Sequence, residues 1–172
     1  KWLGAAGDEI VSALLVYGLV WCSGLGGFDA APLARLGSGP RFLFSILLGL
    51  AAGLLFATGE ELGWRGLLLP ELAKLVTPVR AAIISGVVWA LYHYPAMLFT
   101  DYRSTAPLPY AMSVFTLSVF AVSFLMAWMR LHSRSLWPAA LFHASHNFFV
   151  QDIFDRLTID HPAPPYLTTD FG

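Results

Sequence analysis

Three groups of polar side chains carry the residue types that hydrolysis needs. Glu60 and Glu61 are adjacent carboxylates, and Arg65 follows Glu61 by four residues. On a continuing helix that spacing puts Glu61 and Arg65 on one face. Glu60 then points about 100° away and stays free for another partner. His93 sits among aromatics, in Trp89-Ala90-Leu91-Tyr92-His93-Tyr94. His143 and Asn147, again four apart, project from one helical face, with His146 near it. Taken singly, the three groups read as a helix-end ion pair, a satisfied core histidine and interhelical hydrogen bonds. Taken together, a carboxylate and an imidazole can hold and deprotonate water. A second imidazole and a carboxamide can donate to a developing oxyanion. The set suits hydrolysis of a peptide bond. Asp101, Tyr102, Arg103, His132 and His161 fall in expected loops or the tail and read as solvated or interfacial side chains.

The elements that must position these groups follow from the charge distribution. The chain has 172 residues, of which 57% are hydrophobic and only 12% charged. Its mean hydropathy is +0.65. An ordinary soluble domain carries about 25% charge, and so small a globule has too little interior to hide this much apolar surface. Disorder is excluded by the same hydrophobicity. A net charge of −1 gives nucleic acid no electrostatic footing. A single cysteine, Cys22, excludes an internal disulfide framework and a cysteine-based zinc site. Five stretches hold no Asp, Glu, Lys or Arg: 10–28, 42–59, 81–100, 104–129 and 135–151. Each reaches, or nearly reaches, across a hydrocarbon core of about 30 Å as a helix. Continuous apolar runs favour helices over a barrel. The expected fold class is all-α, a polytopic membrane bundle with about five transmembrane helices over 1–155, followed by a Pro-rich polar tail or loop over 156–172.

Details of the pattern refine this picture. Gly49, Gly53 and Ala57 form a small-residue stripe that lets another helix approach the second span closely. Residues 59–80 mix charge with an apolar stripe and read as a helix broken at Pro70 near the membrane surface. Arg65, Lys74, Arg80, Arg130, Arg134 and Lys1 fall on one side of the expected bundle. Arg35, Arg41, Arg103 and Arg156 fall on the other. That balance places loops 59–80 and 130–134 in the cytoplasm. The chain begins at Lys1 and reads as an internal piece of a longer protein. Richness in Leu, Ala and Gly, with Arg over Lys, points to a prokaryotic cell membrane.

The order E-E-x-x-x-R, then aromatic-x-x-x-H, then H-x-x-x-N, each at a hydrophobic span, resembles the CPBP family of membrane proteins. That family includes the CAAX prenyl endopeptidases and Abi-like bacteriocin-processing and self-immunity proteins. The matching residues are Glu60, Glu61 and Arg65; Trp89 and His93; His143 and Asn147. The family's second motif usually carries Phe where this chain has Trp89, a departure at a packing position. The resemblance covers about 42–151. It implies that Glu60 and His93 activate the water, that His143 and Asn147 stabilise the oxyanion, and that Glu61 and Arg65 orient the first carboxylate. It also implies membrane lipids and a peptide or protein substrate, one with a prenylated C-terminus among the candidates, as partners.

Other intramembrane protease classes fit less well. The chain has no H-E-x-x-H, no Gly-x-Gly-Asp, and Ile83-Ile84 precedes Ser85-Gly86 where a serine nucleophile motif would need glycine. A zinc variant would use Glu60, His93 and His143 with an open position for water. Asn147 is a poor zinc ligand and suits oxyanion donation, so a mechanism without cofactor is preferred. A non-catalytic binding, immunity or scaffold protein is the alternative of a different class. A transporter is weaker, because no inverted repeat is visible.

Overall fold

Proline opens most of the long helices, where its missing N–H costs nothing and its fixed φ suits the first turn. The computed structural model describes residues 2–102 and 106–159. Helix α1 runs Trp2–Ser23, and a short helix α2 runs Ala31–Arg35. Helix α3, Pro40–Glu61, starts on Pro40 and passes into a π-helical segment, Leu62–Leu68, then into α4, Leu69–Leu75. Helix α5, Pro78–Phe99, is capped by Thr77, whose hydroxyl accepts from the Arg80 backbone N–H. Helix α6, Leu108–Ser133, follows Pro107. Helix α7, Trp137–Ser145, continues through a second π-helical segment, His146–Phe154, into α8, Asp155–Leu157. Two short strands, β1 (Gly27–Phe28) and β2 (Thr158–Ile159), pair antiparallel with Gly27 opposite Ile159.

The architecture is an all-α bundle, and all five charge-free stretches are mainly helical. Length and apolarity fit a membrane crossing in three of the described helices: the Pro40–Leu75 rod, α5 and α6. Two expected spans fall short for physical reasons. The first helix ends at Ser23, because the glycine-containing turn 24–26 takes up the rest of its window, and its apolar stretch is Glu9–Ser23. The last is interrupted by His143, His146, Asn147 and Gln151. The expected tail also begins later than its composition indicates: residues 156–159 belong to α8 and β2, while 160–172 lie outside the described residues.

Pro70 does not break its helix. In a regular α-helix its ring would clash with the carbonyl four residues earlier. Here the turn before it is widened, so that the Leu69 N–H donates to Trp64 O, five residues back. The rod therefore continues, and Arg65 lies buried inside it rather than in a loop. That removes Arg65 from the count of loop charges.

The core lies between α5, α6 and α7. Trp89, Met97, Phe115, Met126 and Phe142 form its centre. Buried positions on α5 recur at Ala81, Ala82, Ser85, Gly86, Trp89 and Ala90, one helical face. A second cluster joins Ala13 and Tyr17 of α1 to Val150 and Phe154. The Tyr17 hydroxyl donates to Asp155, and the Trp21 indole to Thr158 Oγ1 at 3.1 Å. The outer faces are apolar: Leu19, Phe44, Leu55 and Phe56 are all exposed. Exposed apolar side chains in this number suit an apolar surrounding.

The glycine stripe packs as its spacing predicts. A Cβ on Gly49 would lie 2.2 Å from Phe148 Cε2, and one on Gly53 would lie 3.6 Å from Ala144 O. Ala57 is fully buried. Gly49→Val is expected to destabilise the protein by about 1–3 kcal/mol through overpacking. Gly18→Ala, with open space around it, should be neutral or gain up to about 1 kcal/mol from helix propensity. Thermal unfolding in detergent compares the two; equal midpoints would remove the stripe from the packing account.

Candidate active site

The two carboxylates part company within one helical turn. Glu61, the last residue of α3, is fully buried, and so is Arg65. Arg65 Nη1 donates to Glu61 Oε1 at 2.8 Å. His143 Nδ1, on α7, donates to the same oxygen at 3.0 Å. A carboxylate only accepts, so the shared proton belongs to His143 Nδ1. Glu60 faces elsewhere and is half-buried. Its Oε2 accepts from the Trp89 indole at 3.2 Å and from Trp64 at 3.4 Å. The two adjacent carboxylates thus serve separate sets of partners. The expectation that Glu61 and Arg65 orient Glu60 does not match these bonds: they hold His143, and the indoles hold Glu60.

Trp89 is the centre of the arrangement. Its edge binds Glu60, and its face carries the Arg65 guanidinium, 4.2 Å from the ring centroid. The rings of His93 and His143 lie 5.8 Å and 5.4 Å from it. Phenylalanine could fill this space but could not donate to Glu60. The position is more than packing, and indole chemistry was the available signal. His93 Nδ1 donates to the Trp89 carbonyl at 2.8 Å. A carbonyl only accepts, so the neutral ring keeps its lone pair on Nε2.

A cleft opens beside these residues, lined by Trp89, His93, His143, His146 and Asn147, with an apolar wall of Phe115, Val119 and Val122 from α6. It brings together His93, His143 and Asn147. Glu60 is not on its lining and connects to it through Trp89. Tyr102 also lines it, half-buried and stacked on His93 with ring centroids 6.0 Å apart. That corrects the reading of Tyr102 as an interfacial side chain. Asp101 is exposed, as is His132, which stacks on Trp128. Arg103 and His161 lie outside the described residues. His146 Nδ1 pairs with Glu9 of α1 at 2.6 Å, a partner 137 residues away that helical spacing could not reveal.

A zinc site would need three donors to converge. Among the described residues no three His, Cys, Asp or Glu side chains form such a group, Glu60, His93 and His143 included. The bond at His143 Nδ1 leaves its Nε2 open to a ligand, so it is the spacing of Glu60, His93 and His143, not their bonds, that keeps them from forming a three-donor group.

The fold and site define a helical membrane protein with a largely apolar cleft in which a few polar side chains meet an aromatic and aliphatic wall. The family model for type II CAAX prenyl endopeptidase Rce1-like proteins matches residues 40–149, more than half of the chain, and the chain belongs to that family. A curated relative, CAAX prenyl protease 2 of Methanococcus maripaludis, is 33% identical over 95 residues, covering 52% of this chain and 35% of the relative. The chain spans about a third of that relative's length. No solved structure matches the chain.

Proposed function

We propose that the cleft hydrolyses a peptide bond of a membrane-associated substrate, using water activated by Glu60 and His93 without a metal. The observation that carries this reading is the convergence of His93, His143 and Asn147 on one cleft, with Glu60 one indole away. His93 Nε2 accepts one hydrogen of the water and orients its oxygen towards the substrate carbonyl carbon. As the C–O bond forms, Glu60 takes the other proton. The carbonyl oxygen becomes an oxyanion, to which the Asn147 amide donates, as does His143 Nε2 when that ring is doubly protonated. Glu60 then returns its proton to the amine nitrogen as the C–N bond breaks.

The family and the relative's name support a prenylated C-terminal peptide as substrate. The aliphatic and aromatic wall of the cleft suits an apolar group beside the scissile bond. The same family and the three apolar helices support a membrane setting with several crossings. One observation favours the alternative of a non-catalytic binding or immunity protein: Glu60 already accepts two N–H groups and lies off the lining.

One assay decides between the two. Purified protein in lipid is offered fluorogenic peptides with and without a prenylated cysteine. The hydrolase reading expects cleavage, and expects His93→Ala to lower kcat/KM about 10²-fold or more. Unchanged cleavage by His93→Ala would remove the histidine from the mechanism. Tight peptide binding without cleavage would favour the binding protein.

A further inference from the structure

The π-helical segment 62–68 carries a backbone deficit that a residue outside all three motifs repairs. The Leu69 N–H, which a regular α-helix would give to Arg65 O, goes instead to Trp64 O. The next residue in the π register is Pro70, which has no N–H. The Arg65 carbonyl therefore has no donor from its own helix. Arg130, near the end of α6, supplies one: its Nε–H donates to Arg65 O at 2.8 Å across 65 residues of sequence. No carboxylate pairs with Arg130 among the described residues. Arg65 itself binds Glu61, and Glu61 binds His143. The carbonyl that Arg130 holds thus belongs to the residue that anchors this buried chain of polar groups.

We infer that Arg130 is a positioning residue for the active site, which locks the π-helical turn by completing the hydrogen bonding that Pro70 denies to Arg65 O. Its role is that of a donor at a fixed reach, not that of a surface charge. Three variants separate the two. Gln places an amide N–H as many bonds from Cα as Arg Nε, without the charge. Met fills similar space with no donor. Pro70→Ala returns an N–H to residue 70 and makes an external donor unnecessary.

The first readout is amide exchange of residues 66–69 in detergent, which needs no substrate. Arg130→Met should speed exchange about tenfold, the loss of one hydrogen bond to a charged group, and Arg130→Gln should stay within about twofold of wild type. In a Pro70→Ala background, Arg130→Met should have no further effect. The second readout rests on the proposed hydrolysis: Arg130→Met should lower kcat with KM unchanged, and Arg130→Gln should restore it. Equal behaviour of Gln and Met, or an undiminished effect of Arg130→Met beside Pro70→Ala, would overturn the inference. The predicted exchange pattern in a wild-type protein that cleaves nothing would leave the positioning role standing and remove the hydrolase reading.

Discussion

Glu60→Gln is expected to lower peptide-bond cleavage about 10³-fold while the protein remains folded in the membrane. Glutamine matches glutamate in size, and its carbonyl oxygen can still accept from Trp89 and Trp64, which bind the carboxylate at 3.2 and 3.4 Å. The amide cannot take a proton from water or return one to the amine. The loss should therefore fall on kcat, with KM little changed. Glu60→Ala is a poorer test, because it leaves the Trp89 N–H without its acceptor and disturbs the cleft wall. Parallel measurement of cleavage and of the unfolding midpoint separates chemistry from stability. Cleavage within tenfold of wild type would strip Glu60 of the role of base and strengthen the binding-protein alternative.

Glu61→Ala is expected to be the most destabilising single change, by about 3–5 kcal/mol, because it strands a fully buried guanidinium. It also removes the acceptor of His143 Nδ1. The cation over the Trp89 face offsets only a small part of this. The pair is incompletely satisfied even in the native protein, since Glu61 Oε2, Arg65 Nε and Arg65 Nη2 are buried without a hydrogen-bond partner among the described residues. A double replacement, Glu61→Leu with Arg65→Met, should consequently recover much of the loss, as apolar substitutes for buried ion pairs do elsewhere. It should stay about 1–3 kcal/mol short, for the unpaired His143 N–H, and it should be inactive. Denaturant unfolding of the three proteins gives the comparison. A Glu61→Ala protein within 1 kcal/mol of wild type would mean that Arg65 finds another partner.

The extent to which these features can be read from the chain depends on the range of the interaction behind them. Helices at the charge-free windows, and the close packing at Gly49 and Gly53, follow from local composition and spacing. The pairing of Glu61 with Arg65 follows from a four-residue interval. What helical spacing could not supply were bonds between distant segments: His143 to Glu61, Trp89 to Glu60, Glu9 to His146, and Arg130 to the Arg65 carbonyl. Pro70 misleads for a different reason. Its rule concerns the α register, and the chain escapes the rule by changing register just before it. The loop position of Tyr102 gives no sign of the site, because stacking on His93 decides where its ring lies.

The unbroken rod from Pro40 to Leu75 also works as a ruler. Its 36 residues would span about 54 Å at 1.5 Å per residue, well beyond a hydrocarbon layer of about 30 Å. Glu60 stands twenty residues after Pro40, about 30 Å along the axis. With the apolar stretch 42–59 immersed in lipid tails, the carboxylate emerges at the level of the headgroups. In the proposed hydrolysis each bond cut would consume one water molecule, and at that depth the supply would come from the adjacent aqueous boundary instead of through the bilayer. The same height would limit what the proposed hydrolysis can reach: a substrate tethered in the leaflet would have to present its scissile bond within a few residues of its anchor.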